Sequence, residues 1–565
     1  APYGRKNKEK YADQAEWERE TLGRLKQWGF NMLGGGCSHG LKHRGLIHTE
    51  SLGIGSHLAT LGDEYDITPH ERRPCSAFPN VFHPDFEAYC RYVARIRCLP
   101  HRDDPWLFGY FIDNELAWWG RGAKDTGLFD AAMKKGPEHT AKRALVALMS
   151  ARFDGKIADF NVAFGTQAKS FDELLGLEQL PHQTDAARAA KLAFLEHTAE
   201  RYFSLAARAI REVDPNHLVL GARFAGTGGA HPEVWKVSGK FCDVVTFNVY
   251  PMADLDEGRV YMLLRQGRWG APVSEHFQQF YDYVQRPMLI TEWSFPALDA
   301  GVPSVHGAGQ RFRTQAERTQ ATSLFARTML SLPFLLGYDY FMWVDEPALG
   351  ISTSFPEDSN YGLVNEDGVP YPLITEMFTE LHCEAAAWRF RPVPAPKTIM
   401  RPPLPSPLQV ARRGRVGEAP ATFMREGDAF HASNGRITLS GRVGGRQMVE
   451  RVTLDGSEAS FGSYTAMLMT LDSEGRFRWT DIHTVRTVEG RVEDGIAVIE
   501  ITGDGANGGD RMAITHRLYL PPGVPWFVAE AVSARNTGDR PLRLKGFYFR
   551  LYNEFRKTPE KLPPN

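Results

Sequence analysis

Several apolar runs of this chain end in side chains that can do acid, base or nucleophilic chemistry. LFGYFI runs into Asp113, Asn114 and Glu115, and MLIT runs into Glu292 and Trp293. DVVTF leads to Asn248 and Tyr250, LVLGA to Arg223, and GYDYFM to Trp343, Asp345 and Glu346. Two carboxyl groups facing each other across a cleft can divide the breaking of a glycosidic bond. One, kept protonated, gives its proton to the leaving oxygen while the other attacks the anomeric carbon. A gap of about 5–5.5 Å suits retention of configuration and about 6.5–9.5 Å suits inversion, a distance that sequence spacing does not fix. Glu115 and Glu292 are 177 positions apart (292 minus 115), and each closes an apolar run beside a tryptophan. Either glutamate alone reads as a solvated strand end or an ion-pair partner. Together they read as a pair held on rigid strand ends, which suits accurate positioning.

The elements that would hold them alternate along the first 390 residues. Strand candidates are GFNMLG, SHLATL, LFGYFI, HLVLGARF, DVVTFNVY, PMLITEW and LLGYDYFMW. Helix candidates lie between them, among them KEKYADQAEWERETLGRLKQW, DAARAAKLAFLEHTAERYFSLAARAIREV, AERTQATSLFARTMLSL and LITEMFTELHCEAAAW. Seven strands in this rhythm are one short of a (β/α)8 barrel, in which reactive groups gather at the carboxyl ends of strands. The missing first strand is expected upstream of Ala1, on a segment or chain that would complete the barrel. A doubly wound sheet is disfavoured because no G-x-G-x-x-G or phosphate loop opens a helix. The barrel is assigned to residues 1–390. A proline-rich linker follows over 391–420, and an all-β sandwich domain over 421–565, read from alternating runs such as GRITLSGRV, DGIAVIEIT, MAITHRLYL and WFVAEAVSA.

Composition narrows the partners. The 565 residues carry 66 Lys+Arg against 68 Asp+Glu, a net charge of −2 without a long basic run, so nucleic acid and anionic membrane are not expected. No apolar run reaches the ~18 residues of a membrane span. The six cysteines form no C-x-x-C pair and read as mostly buried thiols. His39, His43 and His48 in CSHGLKHRGLIH invite a metal reading, but glycines surround them and no H-E-x-x-H is present. They are placed on a cleft loop, with His39 a substrate contact and no metal expected. Of Trp118 and Trp119, one should pack inward and the other border the cleft, Trp118 being the candidate substrate contact. Tyr250 and Arg223 read equally well as internal partners or as substrate contacts.

GYFIDNELAWWG together with LITEWSFPALDAG resembles the acid/base and nucleophile signatures of clan A retaining glycoside hydrolases. RLKQWGFNMLG, DPNHLVLGARF, CDVVTFNVYP, ALDAG, YFMWVDEPALG and YGLVNEDGVPYP, in that order, are similar to glycoside hydrolase family 50, the agarase family, over about residues 15–385. The resemblance implies double displacement on a β-linked galactan polysaccharide or oligosaccharide, without a cofactor. It implies Glu115 as acid/base, Glu292 as nucleophile, Asn114 on the sugar 2-hydroxyl, Tyr250 orienting the nucleophile, and Trp343 under the sugar at the cleaved bond. Asn248, Arg223, Trp118, Asp345 and His39 complete the expected substrate contacts. GGGCSHG after the second strand and Ser294 two positions after Glu292 depart from the family pattern, and both fall in the cleft. The alternatives are a β-galactosidase-type or other β-glycan hydrolase of the same clan, and a non-catalytic carbohydrate-binding barrel. A polysaccharide substrate implies a secreted or periplasmic protein.

Overall fold

The computed structural model describes residues 2–69, 77–182, 184–264, 268–352, 356–388, 406–416, 419–457, 462–471, 477–507 and 510–553. The chain forms two compact units, one from Ala1–Leu263 and Gly270–Arg401, the other from Leu264–Trp269 and Pro402–Asn565.

In the first unit, parallel strands β1 (Met32–Leu33), β2 (Ile47–Ser51), β3 (Leu107–Phe111) and β4 (Leu218–Val219) pair in that order. A second set pairs as β8 (Leu335–Tyr338), β7 (Met288–Glu292), β6 (Val245–Asn248) and β5 (Phe224–Ala225). β4 and β5 belong to one passage of chain: Ile112 donates its N–H to Gly221 O and Glu115 donates its N–H to Arg223 O, while the Arg223 N–H reaches Thr246 Oγ1. Phe111, Leu220, Val244 and Leu289, with Met32, Phe108 and Leu218, fill the space the strands enclose. The strands thus curve around a common interior, as barrel strands do. Among the described residues, no ladder joins β8 to β1.

Two strand and helix assignments differ from the sequence reading. SHLATL is not a strand: Ile54–Leu58 is a short helix, α3, and the strand before it is IHTES. That strand hides because its central residues His48, Thr49 and Glu50 are polar yet buried, which inverts the pattern a strand normally shows. The long N-terminal helix is two, α1 (Pro2–Lys10) and α2 (Gln14–Gln27), because Asp13 turns to an extended backbone and its carboxylate caps α2 by accepting the Glu16 N–H at 2.8 Å.

The strand before Glu115 is fastened to the longest helix, α5 (Asp185–Val213, with α4 at Asp85–Val93). Thr184 caps α5, alanines keep its buried face slim, and Pro215 follows its end. Tyr202 on this helix donates to Asp113 Oδ2 at 2.6 Å, and Asp214 just past it accepts from the Tyr110 hydroxyl at 2.6 Å. Asp113 also accepts from the N–H groups of Gly55 (2.6 Å) and Ser56 (2.8 Å) and from the Ser56 hydroxyl. Burial raises the Asp113 carboxyl above its ordinary range, and these four donors oppose the rise. Its role is to join β3, α3 and α5.

In the second unit, strands run antiparallel in chain order from β9 (Thr422–Glu426) through β10 (Ala429–Ser433), β11 (Ile437–Arg442), β12 (Val449–Leu454), β13 (Gly462–Leu471), β14 (Phe477–Glu493), β15 (Ile496–Asn507) and β16 (Asp510–Leu520) to β17 (Val528–Asn536). β18 (Arg543–Asn553) pairs with β13. The first part of β14 pairs with β13 and the rest with β15. Phe430, Leu439 and Val452 from one stretch of sheet share a core with Val488, Ile499 and Ile514 from the other, the two-layer packing expected of the alternating runs. Within the expected linker, Pro407–Gly414 is helical, started by a capping box between Ser406 and Gln409. Most of the remaining linker, and RKTPEKLPPN, lie outside the described residues.

Replacing Asp113 with alanine strands two helix-start amides and the Tyr202 hydroxyl. A loss of about 3 kcal/mol or more in urea unfolding is expected. A loss below about 1 kcal/mol would show that the junction is not needed.

Candidate active site at the strand ends

Glu115 follows β3 and Glu292 ends β7. The backbone of Glu115 is in the left-handed region (φ 49°), as is that of Arg223 (φ 42°), which accepts the Glu115 N–H at 3.1 Å. Two non-glycine residues in this sparsely populated region, bonded to each other, mark a locally strained pair.

Arg223 reaches from the fifth strand position to the seventh. Its Nη2 donates to Glu292 Oε1 (2.9 Å) and to Thr291 O (3.0 Å), and its guanidinium lies 5.3 Å from the centre of the Phe111 ring. The Tyr250 hydroxyl donates to Glu292 Oε2 at 3.1 Å. Glu292 therefore has a donor on each oxygen, one of them cationic. Glu115 receives a neutral donor, Asn248 Nδ2 at 2.8 Å; the same amide lies 3.3 Å from Asn114 Oδ1, and Asn248 Oδ1 accepts from Thr291 Oγ1 at 2.8 Å. Burial, followed by the nearby Glu292, pushes the Glu115 carboxyl up from 4.5 to about 7. Burial raises Glu292 too, and Arg223 and Tyr250 oppose that rise. Tyr250 is held far above its ordinary value by burial and by Glu292, so its hydroxyl stays protonated and donates.

A cavity of about 450 Å³ reaches this cluster. Arg223, Thr291, Glu292, Asp339 and Trp343 line it, and its other wall is α2 and β1, through Thr21, Leu25, Met32 and Gly34. It occupies the space between β1 and β8, so much of its apolar lining belongs to that gap and Glu292 marks its polar end. Glu115 does not line it and is tied to Glu292 through Asn248, Thr291 and Arg223. Trp343 donates its Nε1 hydrogen to the Tyr3 hydroxyl at 2.8 Å and stacks on Trp28 with ring centres 5.8 Å apart.

Of the expected residues, Glu115, Glu292, Asn114, Asn248, Tyr250 and Arg223 come together, and Trp343 lies on the same cavity. Three do not. Trp118 is a core residue, 1% exposed, stacked on Phe203 and edge-on to Phe78 and Tyr202; Trp119 is the more open of the pair. Asp345 is consumed internally, accepting from Asn360 Nδ2, the Gly362 N–H and the Tyr371 hydroxyl. His39 lies exposed in a one-turn helix and does not line the cavity, although Ser38 beside it does.

Two acids were not anticipated. Asp339, one residue past β8, has an oxygen without a partner, and burial against the cavity wall raises its carboxyl strongly although the side chain keeps some exposure. Glu357 acts electrostatically on both Glu115 and Glu292 from a distant loop. Asp339 follows an apolar run, as the other site residues do, and that position was its only signal. Glu357 carries none. All described cysteines are free, with Cys90, Cys98 and Cys242 buried.

Two carboxyls with unlike donors thus stand together at the ends of parallel strands. The comparisons give the particular likeness. No protein-family model matches the chain. Beta-agarase A of Vibrio sp. (strain JT0107) is 26% identical over 384 residues, covering 66% of this chain and 36% of that protein. Beta-agarase B of the same organism is 25% identical over 388 residues, covering 66% and 37%. The chain thus spans little more than a third of the length of these curated relatives. Among solved structures, the agarase AgWH50C superposes with a TM-score of 0.57 at 25% identity over 69% of this chain and 52% of that one. An exo-beta-agarase at 24% identity has a TM-score of 0.57 over 69% and 50%, and PfGH50B at 22% has 0.58 over 69% and 54%; both share the fold. In sequence and fold, the chain is similar to the agarases of glycoside hydrolase family 50.

The shift of Glu115 has a sign that stability can report. Between 4.5 and about 7 the folded protein keeps a proton that the unfolded chain releases, so this group's contribution is full below pH 4.5 and is lost as pH rises through about 7. Glu115→Gln is therefore expected to gain thermal stability relative to the parent at pH 8, by a few degrees, and not at pH 4.5. A difference that does not change with pH would mean that the carboxyl is not raised.

Proposed function

We propose that this protein is a retaining glycoside hydrolase that cleaves β-linked, agarose-like galactan by double displacement. The observation that carries the reading is the unequal set of hydrogen-bond donors on the two glutamates. A guanidinium and a phenol hold Glu292, so the proton lost first from the pair leaves Glu292, whose carboxylate attacks the anomeric carbon. Glu115, with a neutral amide donor and its carboxyl raised to about 7, keeps its proton for the leaving oxygen. With that proton gone, the same group takes one from the water that releases the glycosyl-enzyme. Asn114, next to the acid, is the group offered to a sugar hydroxyl, Asn248 holds Glu115 from within, and Trp343 is the aromatic surface for a sugar face. The agarase relatives favour a galactan. Such a substrate is a polymer met outside the cytoplasm, which favours secretion. Among the described residues, no helix is long and apolar enough to cross a membrane.

Incubation with agarose oligosaccharides, followed by NMR of the first product, tests the mechanism. The β-anomer should appear first; an α-anomer first would refute double displacement. Glu292→Gln should lower turnover by about 10³-fold or more while sugar binding persists. If the parent protein binds such sugars and cleaves none, it is a binding barrel.

The acid has a separate signature. The parent kcat/KM should fall as pH rises above about 7, because Glu115 must enter the first step protonated. Glu115→Gln should lose about 10²–10⁴-fold in rate on substrates with poor leaving groups and lose that alkaline limb. A limb that persists in the variant would assign the titration to another group.

A further inference from the structure

At the opposite ends of the strands from the glutamates, three imidazoles converge on one carboxylate oxygen. His43 and His48 flank the entry to β2, and His101 and Asp104 precede β3. Asp104 Oδ2 lies 2.9 Å from His43 Nε2, 3.2 Å from His48 Nε2 and 3.6 Å from His101 Nδ1. The ligand atoms of His43, His48 and Asp104 all fall within 4.8 Å of one another. Donors about 2.0–2.2 Å from a tetrahedral zinc ion are about 3.3 Å apart, which is the scale seen here.

The surroundings of His48 strengthen the case. This ring is fully buried, with Nε2 facing Asp104 and Nδ1 3.4 Å from Glu50 Oε1, without a hydrogen-bond partner on Nδ1. A neutral imidazole has one N–H, so either tautomer points a lone pair at a carboxylate. Glu50 is already bonded to Lys42 and approached by Arg97 at 3.9 Å. A metal ion resolves the conflict: Nε2 gives its lone pair to the ion while Nδ1–H faces Glu50, the arrangement in which an outer carboxylate orients a metal-bound histidine. His43 has a left-handed backbone (φ 63°), a conformation costly for a non-glycine residue and one that a ligand contact would help hold. His217 supports the turn from behind, with Nε2 2.8 Å from Asp104 O.

We propose that His43, His48 and Asp104, with His101 as the fourth donor, bind one zinc-type divalent transition ion that ties the loop between β1 and β2 to the turn before β3. Imidazole and carboxylate donors suit Zn²⁺ over Ca²⁺ or Mg²⁺. The site lies apart from the acid pair and takes no part in the proposed hydrolysis.

The test uses the whole chain, stripped with a chelator, exchanged into metal-free buffer and titrated with Zn²⁺ by calorimetry. Bound metal is counted by elemental analysis after dialysis, and Co²⁺ loading is followed by its visible absorption. One tight equivalent, a melting temperature raised by several degrees and a tetrahedral Co²⁺ spectrum are expected. His43→Ala, at a half-exposed position that should fold, and Asp104→Asn should each lose that equivalent, and His39→Ala in the same segment should keep it. Failure of the stripped parent to retain zinc would overturn the proposal, as would unchanged stoichiometry in His43→Ala. Should Asp104→Asn not fold, His101→Ala provides the second variant, with weakened zinc retention expected and unchanged retention counting against the site.

Discussion

Arg223 is the interaction on which the rest of the site depends. Its side chain neutralises Glu292, its carbonyl anchors Glu115, and its guanidinium rests on Phe111 inside the ring of strands. It is also the only cation hydrogen-bonded to either glutamate among the described contacts, while Glu115, Glu292 and Asp339 crowd the same strand ends. One positive charge cannot hold all of these acids ionised in a partly dehydrated place, so protons must remain on some of them. The contrast between the glutamates therefore follows from charge shortage as well as from local hydrogen bonds. Proton positions in such a group belong to the whole set, and a change at one acid is felt by the others.

The supporting architecture follows from the need to hold that shortage steady. Buried charge is tolerated where neighbours cannot drift, and the surrounding contacts are short and many. Tyr250 and Thr291 reach in from β6 and β7, and Asn248 links Glu115 to Thr291. Behind β3, Asp113 gathers four donors from α3 and α5. Left-handed backbone at Glu115 and Arg223 is the local cost of aiming both side chains at one point.

What could be read from sequence was the part governed by local rules. Apolar runs ending in Glu115, Glu292, Asn248 and Arg223 placed the site, since strand ends are where a barrel exposes its chemistry. The helix 185–213 was legible from its periodic apolar residues. What failed depended on neighbours distant in the chain. IHTES looked unlike a strand because Lys42, Asp104 and the Leu33 carbonyl, and not an apolar pattern, account for its buried polar residues. Trp118 and Trp119 are adjacent and chemically identical, so only Phe203 and Tyr202, more than 80 positions away, decide which is core. Asp345 resembled a cleft acid until Asn360, Gly362 and Tyr371 were seen to occupy its lone pairs.

The two tyrosine–aspartate contacts between β3 and α5 constrain motion as well as position. Tyr110 and Asp113 are three residues apart (113 minus 110), about 10 Å along an extended chain, and both are bonded to the same helical segment. Two fixings along one axis remove sliding and most rocking, so strand and helix move as a single rigid lever about 29 residues long on its helical side. Fluctuations in the gap between the two glutamates must then arise mainly from the β7 side, where Glu292 hangs on Arg223 and Tyr250. In mechanical terms, Glu115 sits on the fixed jaw and Glu292 on the moving one.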